Sequence, residues 1–443
     1  MNPLFGAFSG VRRGSIARST RPRGRVRPIA FEPVEKLEDR RLLSFLPFDA
    51  AMSRPVFSTP DPIHATANAD IDADGDLDLI VSAGPRIHTL LNDGLGRFTL
   101  ASTMRISGRA DQLVLGDFDG DGDNDLAALG LGPNIDKFLR VFTSDRDGTW
   151  TRTQTIKLNA NQVQVGNFDT DTRRELVAVF DHSITIYQMN VGIPNAPRGG
   201  PNSLFNIADA AVQDMDADGI SDVVVGLNAP SGTPEAVVSV WTVKAGSFGI
   251  NTALDRTDAR VQSVSAVHVI GSNRPDVIVS GMGLNGSGID TPGVWVVPMT
   301  SAVGQPLAFG SPQTIYTQVP PKVEVTSVVA YDIDVLGARN MNGDMAGSRE
   351  VVFTWKRTIT NNATMPATVS YQRYLSIAER VTDSSFNVYF GPVWTGSNDN
   401  HAQFATAPFQ TASPAFPDLL YTEFSLLEGG KNKVRYAENN YIV

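Results

Sequence analysis

From about residue 50 onward, short apolar runs recur between clusters of turn-forming residues. Leu77 to Ala83 reads LDLIVSA, Asn124 to Gly130 reads NDLAALG, and Ser221 to Leu227 reads SDVVVGL. Each is followed by a second apolar segment (HTLL from His88, FLRVF from Phe138, VVSVW from Val237) and then by a turn that ends on an aromatic residue. Runs of this length, rich in Val, Ile and Leu and bounded by Gly, Asp, Asn and Pro, predict β-strands. No amphipathic helix pattern longer than two turns is present, so the chain reads as all-β.

The strands come in repeats. Seven copies of an acidic turn plus apolar run begin at residues 70, 117, 167, 214, 268, 332 and 410, the last three much weaker than the rest. The intervals are 47, 50, 47, 54, 64 and 78 residues, so the repeat loosens toward the C-terminus. Units of this length with about four strands each predict propeller blades. The expected fold is a seven-bladed β-propeller of four-stranded blades over residues 45–443. Its C-terminal copy stops after a third strand, at KVRYAENNYIV, and a truncated unit stands at the head, VFSTPDPIHATANADID from Val56. The segment around Val56 is therefore expected to supply the outer strand of the last blade and so to close the ring. Phe98, Trp150, Phe248, Phe309 and Phe386 recur at matching turns, where a packing role at blade junctions is expected.

Charge divides the chain. The 443 residues carry a net charge of −10 and no cysteine, which excludes disulfides, thiol nucleophiles and cysteine-ligated metals. Residues 1–44 hold nine Arg and one Lys against four acids, a charge of +6, and the rest carries −16. The acidic body argues against nucleic acid as a partner. No apolar run approaches the roughly 18 residues of a membrane helix, so no transmembrane segment is expected. The N-terminal segment, VRRGSIARSTRPRGRVRPIA and beyond, is expected to be disordered. It runs into FEPVEKLEDRRLLS, where Glu32, Glu35, Leu37, Glu38, Arg40, Leu42 and Leu43 resemble the LEPR-XLL motif found near the N-terminus of large exported bacterial proteins. The resemblance implies a sorting or export segment and a secreted or cell-surface location.

The chemistry lies in the acidic turns. Asp70, Asp72, Asp74, Asp76 and Asp78 place five carboxylates in nine residues. Like charges about 4 Å apart repel by roughly 1 kcal/mol in water and roughly 4 kcal/mol at a protein surface. A loop that gathers them is strained unless a cation sits among them. Calcium takes six to eight oxygens in flexible geometry, and the alternating aspartates offer side chains at positions 1, 3, 5 and 9 with a carbonyl at 7. Glycine at position 6 permits the sharp turn. Magnesium, rigidly octahedral and reluctant to lose water, fits less well. The other reading of each loop is Asx-turn capping without metal. An EF-hand is rejected, because position 12 is Val81, Ala128 or Val225 where a bidentate Glu is required.

The pattern D-x-D-x-D-G-x-x-D followed by an apolar strand resembles the FG-GAP or VCBS repeat family, strongly in copies one, two and four. That resemblance implies an integrin-alpha-like seven-bladed propeller with calcium between the first two strands of a blade. The ligands it implies are Asp70, Asp72, Asp74 and Asp78 with the Asp76 carbonyl; Asp117, Asp119, Asp121 and Asp125 with the Asp123 carbonyl; and Asp214, Asp216, Asp218 and Asp222 with the Ile220 carbonyl. About three structural Ca2+ sites are expected. The third copy (Asn167, Asp169, Asp171, Glu175) has Thr172 for Gly and two arginines, one of which is expected to neutralise it. The fifth and seventh keep only Asp276 and Asp418 and should be empty, while an insertion splits the sixth.

No nucleophile elbow, zinc-binding helix motif or phosphate loop is present. The expected function is a non-enzymatic binding or adhesion module, a monomer that holds a protein or polysaccharide ligand through propeller loops; the resemblance implies that these lie on the face opposite the calcium turns. Residues 190–205, 281–293 and 357–370 read as candidate loops of that kind. The alternative is a polysaccharide lyase or hydrolase on the same scaffold.

Overall fold

The computed structural model describes residues 54–190, 193–229, 236–244, 247–257, 260–270, 274–282, 292–317, 323–331, 350–361, 368–382, 385–396, 404–407, 418–425 and 431–437. All lie in the second of the two units into which the chain divides, Phe45–Val443. The basic segment and its motif, the sixth acidic turn and residues 408–417 of the seventh lie outside the described residues.

Among the described residues every regular element is a strand, and no helix long and apolar enough to cross a membrane occurs. After β1 (Arg54–Thr59) the chain builds six consecutive four-stranded antiparallel meanders. The first is β2 (Ile63–Ala69), β3 (Asp78–Ala83), β4 (Arg86–Asn92) and β5 (Phe98–Arg105). The second is β6 (Arg109–Gly116), β7 (Asp125–Leu131), β8 (Lys137–Ser144) and β9 (Trp150–Lys157). The third is β10 (Gln162–Gly166), β11 (Glu175–Val179), β12 (Ser183–Asn190) and β13 (Ile193–Asn202). The fourth is β14 (Asn206–Gln213), β15 (Asp222–Asn228), β16 (Ala236–Lys244) and β17 (Ser247–Thr257). The fifth is β18 (Arg260–Val267), β19 (Asp276–Met282), β20 (Pro292–Val297) and β21 (Gln313–Thr317). The sixth is β22 (Val323–Tyr331), β23 (Glu350–Asn361), β24 (Thr368–Thr382) and β25 (Ser385–Gly396).

The seventh sheet takes its strands from both ends of the body. β26 (Phe404–Ala407), β27 (Asp418–Ser425) and β28 (Lys431–Ala437) are completed by β1, in the order β1-β28-β27-β26. β1 runs antiparallel to β28, with Phe57 opposite Val434 and Thr59 opposite Asn432. The segment around Val56 thus takes the outer place expected of it. Further contacts tie β1 to the first sheet: Arg54 Nη2 donates to the Gly96 carbonyl at 2.7 Å, and the Phe57 and His88 rings lie 4.7 Å apart.

The second strand of each of the first four sheets is wholly buried, apart from the ends of β7 and β15. This explains why its sequence is a continuous apolar run rather than an alternation: both faces are core. Leu79 and Val81 face the seventh sheet beside Val434, while Ile80 packs with Leu126 and Ala128 of the second. Ala127 and Leu129 face the third sheet, Val177 and Val179 meet Val223 and Val225 of the fourth, and Val224 meets Val277 and Val279 of the fifth. Outer strands such as β5 and β9 alternate toward solvent instead. Contacts between β18 and β22 continue the series to the sixth sheet. Of the junction aromatics, Phe98, Trp150, Phe248 and Phe309 pack on these inter-sheet cores, and the Phe386 side chain lies outside the described residues.

Two segments expected to be ligand loops are largely strand. Residues Ile193–Asn202, IPNAPRGGPN, form β13, and residues 357–361 and 368–370 belong to β23 and β24. The prolines of the first are tolerated because β13 is an outermost strand, where an N–H can point away from the ladder. In the third such segment, residues 283–291 lie outside the described residues.

Candidate metal centres

The acidic loops connect the first two strands of a sheet: residues 70–77 between β2 and β3, 117–124 between β6 and β7, 167–174 between β10 and β11, and 214–221 between β14 and β15. In three of them the backbone turns left-handed at the fourth and sixth positions. The φ angles are 63° and 94° at Ala73 and Gly75, 87° and 91° at Gly120 and Gly122, and 62° and 87° at Ala217 and Gly219. Only glycine adopts this conformation without cost, and alanine there stores about 1 kcal/mol. In the third loop Thr170 and Thr172 avoid it, as branched side chains do.

The ninth-position acid clamps each loop to its sheet. Asp78 Oδ2 accepts the Ile71 N–H and Oδ1 the Asn92 N–H, both at 2.8 Å. Asp125 does the same with Phe118 and Ser144 at 2.8 and 2.9 Å, and Asp222 with Met215 and Val243 at 2.9 and 2.8 Å. Both carboxylate oxygens are thus engaged by amides from the loop entry and from the end of the third strand. Burial pushes Asp78 and Asp125 up to about 6 and Asp222 up to about 7, against the downward pull of those amides.

The remaining acids line the turn. Asp70 accepts the Gly75 N–H at 3.1 Å, Asp117 the Gly120 and Gly122 N–H groups at 2.6 and 3.0 Å, and Asp214 the Ala217 and Gly219 N–H groups at 2.7 and 2.9 Å. Fifth-position acids each accept the N–H two residues on: Asp74 from Asp76, Asp121 from Asp123, Asp218 from Ile220. These are Asx turns, but they do not use up the oxygens. Asp70 Oδ1 and Asp72 Oδ1 are buried with no hydrogen-bond partner. Carboxylate oxygens of Asp70, Asp72 and Asp78 lie within 4.8 Å of one another, as do those of Asp117, Asp119 and Asp125, and of Asp214, Asp216 and Asp218. Burial and the neighbouring acids raise the Asp72, Asp119 and Asp216 carboxyls above their ordinary range. A cluster of oxygens that resist ionising beside one another has the donor chemistry of a hard-cation site.

Every acid in these three clusters belongs to the set expected from its loop. The side chain of Asp123, the residue whose carbonyl is the expected ligand, pairs with Arg146, and Asp222 stands in the fourth loop as the clamp. In the third loop Asp169, Asp171 and Glu175 gather, but Arg173 Nη2 bonds Asp171 Oδ2 at 2.7 Å, and burial pushes Glu175 up to about 7. The arginine occupies the neutralising role expected of it. In the fifth loop Asp276 accepts amides from Val269, Ile270 and Met299, keeping the clamp without the acidic cluster.

Sequence reasoning passed over a set of polar staples. Gln112 bonds both backbone groups of Val163, at 2.8 and 2.9 Å, and Gln162 both of Ala210, at 3.1 and 3.2 Å. Asp209 accepts the Val264 N–H at 2.9 Å. Each stands five residues before the first position of an acidic loop and reaches the first strand of the next sheet, a spacing visible in the repeat alignment.

No curated protein matches the chain. Among solved structures, the chain is similar to the one titled "Crystal structure of BBS1N in complex with ARL6DN, soaked with lead", with 10% identity and a TM-score of 0.45 over 87% of this chain and 96% of that one. At that score the likeness adds nothing to what the strand pairings establish. The FG-GAP-like repeat family matches residues 70–128, which take in the first two acidic loops and every strand from β3 to the first half of β7. Over that stretch the chain is similar to an FG-GAP-like repeat.

Proposed function

We propose that this protein is an exported, calcium-stabilised propeller that acts as a non-enzymatic binding module. The observation that carries the calcium reading is the pair of buried, unpartnered oxygens Asp70 Oδ1 and Asp72 Oδ1, in a cluster whose third member, Asp78, is held by two amides. Asp70, Asp72 and Asp78 would hold one ion, Asp117, Asp119 and Asp125 a second, and Asp214, Asp216 and Asp218 a third. The ion would cancel the repulsion inside each turn and cross-link its carboxylates. All of this supports a structural rather than a reactive role, because the clamping acids bind the loops to the sheets.

The seven sheets would close into a ring of blades, the junction between the sixth and seventh completing the series already formed by the others. Ligand binding would fall on the end opposite the acidic loops. Ile135, 78% exposed with φ 68°, and Leu204, 90% exposed, sit in turns of that end. An exposed apolar residue held in a strained conformation is an economical marker of a contact surface. Export rests on FEPVEKLEDRRLLS, Phe31 to Ser44.

Thermal melts of the full chain in calcium and in chelator test the calcium reading. At 100 times its dissociation constant a ligand adds roughly 2.7 kcal/mol per site, so chelation should lower the midpoint by many degrees. An unchanged midpoint would sink the assignment. Cell fractionation tests export: recovery wholly from the cytoplasm would remove it.

A further inference from the structure

The acidic loops are joined to one another. Asn124, eighth in the second loop, donates from Nδ2 to the carbonyl of Asp70, first in the first loop, at 3.1 Å. The Arg174 N–H, eighth in the third loop, donates to the carbonyl of Asp117, first in the second, at 2.7 Å. The Ser221 N–H, eighth in the fourth, donates to the carbonyl of Asn167, first in the third, at 2.7 Å, and the Ser221 hydroxyl accepts the Asn167 N–H at 3.1 Å. At the fifth loop the link changes chemistry. Arg274, 1% exposed and seventh in its loop, donates from Nε to the Met215 carbonyl, second in the fourth loop, at 2.9 Å. Its Nη1 holds Ser301 Oγ and the Ala302 and Gln305 carbonyls at 2.9, 2.9 and 3.1 Å.

Each pair of loops is joined by a donor near the exit of the later loop and a carbonyl near the entry of the earlier one; between the third and fourth, Asn167 also donates back, from its N–H to Ser221 Oγ and from Nδ2 to the Gly219 carbonyl at 3.2 Å. In the first two loops the residue whose carbonyl accepts the link, Asp70 or Asp117, is also the residue whose carboxylate belongs to the acidic cluster.

We infer that the cation sites are coupled in series, so that filling one acidic loop raises the affinity of the next. This rests on the calcium reading above. Without a cation, the gathered carboxylates repel and the loop frays, which releases its entry carbonyl and the link to its neighbour. A cation that fixes the entry aspartate holds that carbonyl in place and orders the adjoining loop in advance. The effect is reciprocal by linkage. The third loop, neutralised by Arg173, carries order between loops two and four without an ion, and Arg274 ends the series with a tethered guanidinium.

Calorimetric calcium titration of the full chain tests this, with Asp72→Asn, Asn124→Ala and the double variant. Asp72→Asn should delete one site and weaken the remaining binding by about fivefold or more. In the Asn124→Ala background the same substitution should delete the site without that further loss. Asn124→Ala alone should keep the number of sites and flatten the isotherm, which gives a readout if Asp72→Asn does not fold. Amide exchange at Gly122 provides a second measure and should quicken in Asp72→Asn at a fixed calcium concentration. Unchanged affinity at the remaining sites, or an unchanged isotherm in Asn124→Ala, would overturn the coupling and leave the calcium reading intact. No calcium uptake by the unmodified chain would overturn both.

Discussion

At the scale of single residues, the same position of the repeat performs related work in different chemical forms. The ninth-position acid is a clamp first: Asp125 keeps two buried amides satisfied whatever occupies the turn. Asp125→Ala should therefore cost about 3 kcal/mol or more even in chelator, since each stranded amide costs about 1–3 kcal/mol, and urea unfolding of the metal-free protein would measure it. The staple position is similar. Where Gln112 and Gln162 donate and accept, Asp209 can only accept while ionised, and burial raises its carboxyl above the ordinary range. The Val264 and Ala210 amides, the Ser263 hydroxyl and the Gln162 side chain pull the other way but do not win. A carboxyl raised in the folded state contributes stability that is fully present below its unfolded value and is lost as pH rises through the folded one. Asp209→Asn should thus gain about 1 kcal/mol at neutral pH and lose that advantage below about pH 4. Denaturation at the two pH values decides this, and equal effects at both would exclude the charge as cause.

At the scale of elements, β1 deserves its separate origin. It is the outermost strand of the seventh sheet, yet its Arg54 and Phe57 reach the first, and Arg86 of that sheet bonds Asp61 just beyond it at 2.6 Å. Deleting residues 50–60 removes the pairing with β28 and strips one side of the core between the seventh and first sheets. Phe57 is partly buried, so losing its burial alone costs about 1 kcal/mol, short of the roughly 1.5–3 kcal/mol of a fully buried side chain, and the lost strand pairing adds to it. The deletion should lower global stability by at least that. A melt that shifts only locally, with the remaining sheets unaffected, would count against a closed structure. Much of this was legible in the sequence. The runs LDLIVSA, NDLAALG and SDVVVGL gave β3, β7 and β15 because a strand buried on both faces has no alternation to hide. The glycines and polar residues of IPNAPRGGPN concealed β13, because a lone segment does not reveal whether it will lie at an edge.

At the scale of the whole molecule, charge and repetition meet. The −16 of residues 45–443 is largely the acid of the loops at one end of the sheets, where connections between first and second strands all emerge. Metal-free protein should therefore gain stability as salt rises from about 0.01 M, where screening reaches about 30 Å, to about 1 M, where it reaches about 3 Å. Calcium-loaded protein should gain much less, and a salt response unaffected by calcium would show that the charge lies elsewhere. The acidic spacing, the repeated apolar runs and the split closing unit were all determined by the sequence, because strand period, glycine conformation and like-charge repulsion act over a few residues. Which carboxylates actually meet was decided only by the tertiary structure. Backbone amides at the end of the third strand hold Asp78 and Asp125 beside the acids of the turn, and Arg173 pairs with Asp171 within the third cluster. So were the staples and loop-to-loop links, which join residues about 50 positions apart that no local pattern brings together.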